Sequence, residues 1–228
     1  MTKEIFQIGS TNCIAYIGDA PKALLIQPVD EHDSKLLDNE VDYISSHSNQ
    51  SFVLVAFSVH DWNNDLSPWT APPVFGKVGF GEGAKDTLAF ITEKLLPEIR
   101  SKYNIEYTIP TILGGYSLAG LFALWSAYQT PAFAAVNAAS PSVWFPGFLE
   151  YAMDSKAGSH HIYLSLGDKE EKAKNPTMAT VGDCIRKLYD FYTSNGIDST
   201  LEWNEGNHFR DSDIRTAKGF VWCMEKVN

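Results

Sequence analysis

Ile112-Leu-Gly-Gly-Tyr-Ser-Leu-Ala-Gly-Leu121 stands where one kind of sequence gives way to another. Ahead of it, Glu106-Tyr-Thr-Ile-Pro-Thr-Ile-Leu113 is rich in β-branched residues and reads as a strand; behind it, Leu118-Ala-Gly-Leu-Phe-Ala-Leu-Trp-Ser-Ala-Tyr128 is dense in helix formers. A strand that runs through Gly-Gly-Tyr-Ser straight into a helix fits a nucleophile elbow, a strained turn that holds a serine hydroxyl, here Ser117, above the end of a sheet. So tight a turn needs small residues two before and two or three after the serine, and Gly115, Ala119 and Gly120 occupy those places. Ala119 takes the second glycine position of G-x-S-x-G; with the smallest side chain that has a Cβ, it reads as a tolerated variant. An ordinary glycine-rich turn looks the same locally, so the motif needs partners elsewhere.

Outward from the elbow, strands and helices alternate. Glu4–Ile8 and Asn12–Ile17 read as an antiparallel pair at one edge, and Ala23–Gln27 as a buried strand ending at Pro28. Asp33 or Ser34 can cap a helix over Lys35 to Ser46, with Leu36, Leu37, Val41 and Ile44 on one face. Ser51–Val59 is continuously apolar, as a strand covered on both faces should be. His60 to Gly83 is loop-like; helical spacing resumes at Leu88, Ile91, Leu95, Ile99 and Tyr103, with a kink expected at Pro97. After the elbow come strands at Ala134–Ser140 and His160–Leu166. A helix capped by Asn175 follows, with its stripe at Met178, Val181, Ile185, Leu188 and Tyr192. A last strand, Thr200–Trp203, precedes a terminal helix capped by Asp211, whose buried face is expected to hold Ile214, Ala217, Val221 and Met224. The alternation predicts an α/β fold over residues 1–228 as one domain: a mostly parallel central sheet with helices on both faces.

Composition narrows the function classes. A net charge of −10 over 228 residues argues against a nucleic-acid or anionic-membrane surface, which needs clustered Lys and Arg. The start, Met1 to Gly9, has no apolar h-region, and no stretch has the length of a membrane span, so a cytoplasmic location is expected. Cys13, Cys184 and Cys223 are odd in number and far apart, which suits reduced, structural thiols. Gly76-Lys-Val-Gly-Phe-Gly-Glu-Gly83 lacks the G-K-[ST] of a phosphate cradle and reads as a flap. Helix caps and loop acids account for Asp30-Glu-His-Asp33 and His60-Asp61, so neither metal nor cofactor is expected.

Serine-based acyl transfer needs a base, a group orienting the base, and donors for the oxyanion. With an elbow, the chain order is serine, acid, histidine. Three histidines follow Ser117: His160 and His161 open a strand, whereas His208 sits in a glycine-containing loop between strand and helix and is the candidate base. The turn Gly167-Asp-Lys-Glu-Glu171 offers the acid. Glu170 has the expected spacing, Asp168 is second and Glu171 third. One oxyanion donor should be the Leu118 N–H; the other should follow the Ala23–Gln27 strand, at Val29 or Asp30, because Pro28 has no N–H. Trp62, Trp69, Trp144 and Phe145 follow strand ends on the elbow side, and Trp62 and Trp144 are candidates for a substrate pocket.

Tyr-Ser-Leu-Ala-Gly120, Ser-Pro-Ser-Val-Trp144, Ser-Leu-Gly-Asp-Lys-Glu170 and Glu-Gly-Asn-His-Phe209 together resemble the esterase family of the α/β-hydrolase superfamily, which holds esterase D-like, feruloyl and siderophore esterases. Asp65-Leu-Ser-Pro-Trp69 and Leu95-Leu-Pro-Glu-Ile99 extend the resemblance from about Ala23 to the terminal helix. It implies an α/β-hydrolase fold and carboxylic-ester hydrolysis through an acyl-enzyme on Ser117 and His208. With no long insertion after Ala134–Ser140, no lid domain is expected, and an open site favours a small-molecule ester with an accessible acyl group. Thioesterase, acyltransferase or peptidase chemistry on the same scaffold, and a non-catalytic binding module, are the alternatives. Homo-oligomer formation is left open.

Overall fold

Apolar residues alternate between two cores along the central strands, and this alternation decides the layering. The structure is a computed structural model and describes residues 1–227. Its strands are β1 (Thr2–Ile8), β2 (Thr11–Ile17), β3 (Ala23–Val29), β4 (Phe52–Ser58), β5 (Thr111–Tyr116), β6 (Ala135–Ala139), β7 (His161–Gly167) and β8 (Asp198–Asn204). They form one sheet in the order β1-β2-β4-β3-β5-β6-β7-β8. The β1–β2 and β2–β4 pairs are antiparallel and all others parallel. In β4, Val53, Val55 and Phe57 face one core while Phe52, Leu54 and Ala56 face the other, the period-two signature of a strand covered on both sides.

The first core also receives the Leu118–Gln129 helix, in which ten of twelve residues are buried, and the Val181–Ser194 helix, which reaches it through Tyr192 and a Tyr128–Tyr192 hydroxyl contact of 2.9 Å. A helix apolar on every side must lie inside the protein, so the elbow is anchored by its own helix. The second core is closed by Leu37–His47 and the C-terminal Ser212–Lys226 helix. Between β6 and β7 there is one short helix, Phe148–Asp154, and no inserted lid domain.

Several expected elements differ in detail. β5 begins at Thr111, not Glu106, because the Arg100 guanidinium gathers the carbonyls of Glu106 and Ile109 and the Thr111 hydroxyl, bending the preceding residues around itself. The cap before the first long helix is Asp30, which serves a separate turn, Glu31–Ser34; the longer helix starts at Leu37 without a side-chain cap. Pro97 lies in the first turn of Leu96–Lys102, and the π-helical turn Ile91–Leu95 just ahead accommodates its missing N–H. The helix after Asn175 breaks into Pro176–Ala179 and Val181–Ser194. In the terminal helix, Ile214 and Val221 are only partly buried. The inner face is Arg215, Thr216, Ala217, Gly219, Phe220, Cys223 and Met224. Asp211 does hold the N-cap position, but it is left-handed (φ 54°) and its side chain caps nothing. Within the long loop, Asp61 caps Trp62–Asp65 and a bridge joins Ala71 to Phe80. No helix among the described residues is long and apolar enough to cross a membrane.

Below β3, Glu40 is buried and accepts a 3.1 Å hydrogen bond from Gln27 Nε2, leaving Oε1 of each residue without a partner. Burial pushes the Glu40 carboxyl up to about 8, and the proton so retained supplies the donor that this pair lacks. A carboxyl raised in the folded state favours folding fully below its unfolded value, and that contribution is lost as pH rises toward the folded value. Thermal unfolding of Glu40→Gln against wild type should therefore show the variant gaining in relative Tm as pH rises from about 4.5 to about 8. A constant difference would mean that Glu40 is not protonated in the fold.

Candidate active site

The elbow is built by a clash that glycine avoids. A Cβ on Gly115 would lie 2.6 Å from the Ala119 Cβ and 2.8 and 2.9 Å from its backbone carbonyl carbon and oxygen, so the strand can meet the helix here only if position 115 lacks a side chain. Gly115 meets that need, which is why alanine is accommodated at 119, where it is fully buried. Ser117 is forced to φ 59°, ψ −120°, a left-handed backbone costing about 1–3 kcal/mol. Backbone bonds hold it there: Ser117 N–H donates to the Ala139 carbonyl (3.1 Å), and its own carbonyl accepts from Ser142 N–H (3.0 Å) and Leu121 N–H (3.1 Å).

His208, on the loop after β8, places Nε2 2.9 Å from Ser117 Oγ and Nδ1 2.7 Å from Glu170 Oε2. The second carboxylate oxygen of Glu170 accepts from Gly167 N–H (2.8 Å), Ser140 Oγ (2.8 Å) and Arg215 Nη1 (3.0 Å). Burial by itself raises the Glu170 carboxyl. The hydrogen bond and charge of His208, with the Gly167 and Ser140 donors, outweigh burial and hold it below the usual carboxylate range. An imidazole bonded to a hydroxyl at one nitrogen and to an ionised carboxylate at the other can take the hydroxyl proton and have the resulting charge stabilised.

The other carboxylates of the turn are used elsewhere. Asp168, the second candidate acid, accepts Gly206 N–H at 2.7 Å and makes no hydrogen bond to His208; Glu171 pairs with Arg186 at 2.8 Å. Lys169 separates Asp168 from the short 3-10 turn that carries Glu170, so the two carboxylates leave the strand in different directions. His161 pairs with Asp198 at 3.3 Å, far along the chain from the elbow.

Two cavities meet at this centre. One, of about 430 Å³, is lined by Trp62, Phe75, Phe80, Ser117, Leu118, Ser142, Trp144 and His208. The other, of about 490 Å³, lies beyond His208, and the two share Trp144, Met178, His208 and Phe209. Trp69, by contrast, packs on Phe145 and Tyr151 and donates to the Pro146 carbonyl, a role beneath the loops. Leu118 begins the elbow helix beside Ser117, where its N–H has no intrahelical acceptor. Val29 is the buried last residue of β3 and lines a small cavity on the Gln27–Glu40 side. Asp30, the other candidate for the second donor, lines the cleft with Ser117 and His208.

Residues 37–184, about two thirds of the chain, match the family described as Putative esterase. The chain belongs to that family. It is accordingly a hydrolase acting on ester bonds. No curated protein matches it in sequence. Among solved structures, the siderophore hydrolase EstA from Aspergillus nidulans aligns over 99% of this chain and 94% of its own, at 20% identity and TM-score 0.74. An IroE-like serine hydrolase from Shewanella oneidensis aligns over 98% and 80%, at 16% identity and TM-score 0.76. A ferulic acid esterase aligns over 99% and 96%, at 13% identity and TM-score 0.62. These likenesses give the α/β-hydrolase fold.

Within this esterase fold, two residues at the centre have no motif that marks them. Arg215 is 1% exposed and joins three segments: Nη1 donates to Glu170 Oε1, Ser140 Oγ and Tyr116 OH, and Nη2 to the carbonyls of Glu205 and Asn207. Tyr116 donates its hydroxyl to the His208 carbonyl at 2.9 Å; burial first, and the Glu170 charge second, push it up to about 12, so it remains a donor. Gly167 leaves the room this crossing needs, since a Cβ there would strike the Gly206 carbonyl oxygen and sit 3.0 Å from both terminal guanidinium nitrogens of Arg215. The only sequence signal for Arg215 was its place on the C-terminal helix, in register with Gly219 and Phe220.

Replacing Arg215 by Met should cost about 3–5 kcal/mol in urea unfolding, the penalty for leaving a buried charge unpaired, and should lower turnover in the remaining folded protein. At the elbow, Ala119→Gly should cost only about 0.5–1 kcal/mol, the helix-propensity difference. Gly115→Ala should abolish ester turnover or soluble folding. Equal effects from these two changes would contradict the packing account of the elbow.

Proposed function

We propose that the chain is a serine carboxylesterase in which Ser117 is the nucleophile, His208 the general base and acid, and Glu170 the orienting carboxylate. The observation that carries this reading is the unbroken line from Ser117 Oγ through both nitrogens of His208 to Glu170, with steps of 2.9 and 2.7 Å. Ser117 Oγ attacks the ester carbonyl carbon while His208 Nε2 takes the hydroxyl proton. The Leu118 N–H and a donor from the Asp30 turn donate hydrogen bonds to the oxyanion. The intermediate collapses as the bond to the alcohol oxygen breaks and His208 returns the proton to that oxygen. Water then repeats the sequence on the acyl-enzyme, releasing the acid and restoring Ser117. Glu170 keeps Nδ1 protonated and stabilises the imidazolium without accepting its proton.

Trp62 and Trp144 wall the acyl side with Phe75 and Phe80. The cleft has no lid domain over it, which suits small or accessible acyl esters better than long buried chains.

A fluorophosphonate probe should label wild type and leave Ser117→Ala unlabelled; equal labelling of both sinks the serine reading. On a short-chain ester, His208→Ala should lose on the order of 10⁴-fold or more in kcat, and Glu170→Gln about 10³- to 10⁴-fold. Asp168→Asn, which keeps an acceptor for Gly206 N–H, should change kcat by less than about tenfold. A larger loss at Asp168 than at Glu170 would reassign the acid. A panel including thioesters and aminoacyl amides separates esterase action from thioesterase and peptidase action on the same serine.

A further inference from the structure

We propose that the cavity beyond His208 is a subsite for an anionic group on the alcohol portion of the substrate, held by Lys169, Lys172 and Lys174. The inference rests on the serine-esterase reading and deepens it by naming a substrate class. Three observations carry it.

The first is how the Gly167–Lys174 turn sorts its charges. Asp168 is committed to Gly206 N–H and Glu171 to Arg186, both off the cavity; Glu170 does line it, but its charge is answered by His208 and Arg215. The three lysines of the same turn line the cavity instead, and none has a side-chain hydrogen bond or ion pair among the described residues. On a chain of net charge −10, this is a local reversal of the overall field, and a concave, partly apolar wall concentrates such a field.

The second is position relative to the chemistry. The lysine cavity is lined by His208 but not by Ser117 or Leu118, whereas the aromatic cavity is lined by all three. The acyl carbon must bond to Ser117 and aim its oxygen at Leu118 N–H, so the acyl group belongs in the aromatic cavity. The alcohol oxygen must receive its proton from His208. The alcohol oxygen therefore stands at Nε2, and the group it carries extends past the imidazole toward the lysines.

The third is the opposite end of the cleft. Asp30 and Asp33 face Ser117 and His208 from the other side, a surface that repels an anion. An anionic substrate has one favourable direction in which to lie. Trp144, Met178 and Phe209, shared by both cavities, give its body an apolar bed.

The test compares para-carboxyphenyl butyrate with its neutral para-carboxamidophenyl analogue, whose leaving phenols have similar acidity. Wild type should prefer the carboxylate by on the order of tenfold in kcat/KM, the scale of a few exposed ion pairs, mostly through KM. The preference should shrink with added salt. In Lys169→Gln/Lys172→Gln/Lys174→Gln the ratio should fall to about one. The control Lys85→Gln/Lys94→Gln/Lys156→Gln removes as much charge at positions that line none of these cavities and should keep the preference. A ratio near one in wild type, or an equal fall in both triple variants, overturns the subsite. Preference for monophenyl succinate, with its anion on the acyl side, over its amide, without preference for the carboxyphenyl ester, overturns the assignment to the alcohol. Binding of para-hydroxybenzoate against para-hydroxybenzamide to Ser117→Ala, followed by calorimetry, tests the same three lysines without any turnover. Turnover of the neutral ester that survives Ser117→Ala would defeat the serine reading while leaving that binding result to decide the subsite.

Discussion

The buried ion pair between Arg215 and Glu170 is the constraint on which the centre of this molecule depends. A guanidinium 1% exposed is tolerable only if its charge is answered and its terminal N–H groups find acceptors, and both conditions tie together separate parts of the chain; only Nε is left without a partner among the described residues. Glu170 comes from the turn after β7, Ser140 from the end of β6, Tyr116 from the residue before the elbow serine, and the carbonyls of Glu205 and Asn207 from the loop that carries His208. The C-terminal helix thus reaches through the sheet's edge and fixes four strand ends relative to one another. The geometry at Ser117 is a consequence: an imidazole between hydroxyl and carboxylate stays aligned because the loop bearing it is held from behind. Tyr116 closes the same circuit from the Ser117 side through the His208 carbonyl.

What the sequence revealed, and what it concealed, follows from the range of the forces involved. The elbow was legible because it is local: three small residues within six positions, followed by helix formers, leave few other conformations for the chain. His208 was legible by chain order and by its glycine-bearing loop. The choice of carboxylate was narrowed by spacing alone, and what separates Glu170 from Asp168 in the fold is a 3-10 turn too short to read in a charged segment. Arg215 was hidden for a stronger reason. Hydropathy assigns an arginine to solvent, so the C-terminal helix was read with Ile214 and Val221 inward. Its true inner face carries Arg215 and Thr216, because partners on other segments neutralise their polarity. A misread helix face and a missed residue are here the same error.

The elbow shows how a departure from a motif is absorbed. G-x-S-x-G pairs two glycines across the turn, and what the packing requires is that the first of them, Gly115, have no Cβ, since one there would strike both the side chain and the backbone of residue 119. With Gly115 in place, Ala119 fills space that a second glycine would leave open and is the better helix former. The constraint therefore falls on the first glycine of the pattern and leaves the second position free to carry a methyl group.

Rigidity and variation are divided along the cleft. Ser117, Glu170 and His208 stand just past strand ends and are braced by buried hydrogen bonds. The walls come from loops: Phe75 and Val78 are half or more exposed, and the segment bearing them is tied down chiefly by the Ala71–Phe80 bridge and by Asn175, which donates to the Val74 carbonyl. Loop residues of this kind can change without disturbing the sheet, while a change at Arg215 or Gly167 would be felt at Ser117. The lysine turn joins the two regimes. Its acids are committed to the rigid framework and its lysines to the variable cleft, so one eight-residue segment both braces the imidazole and offers charge to whatever lies against it.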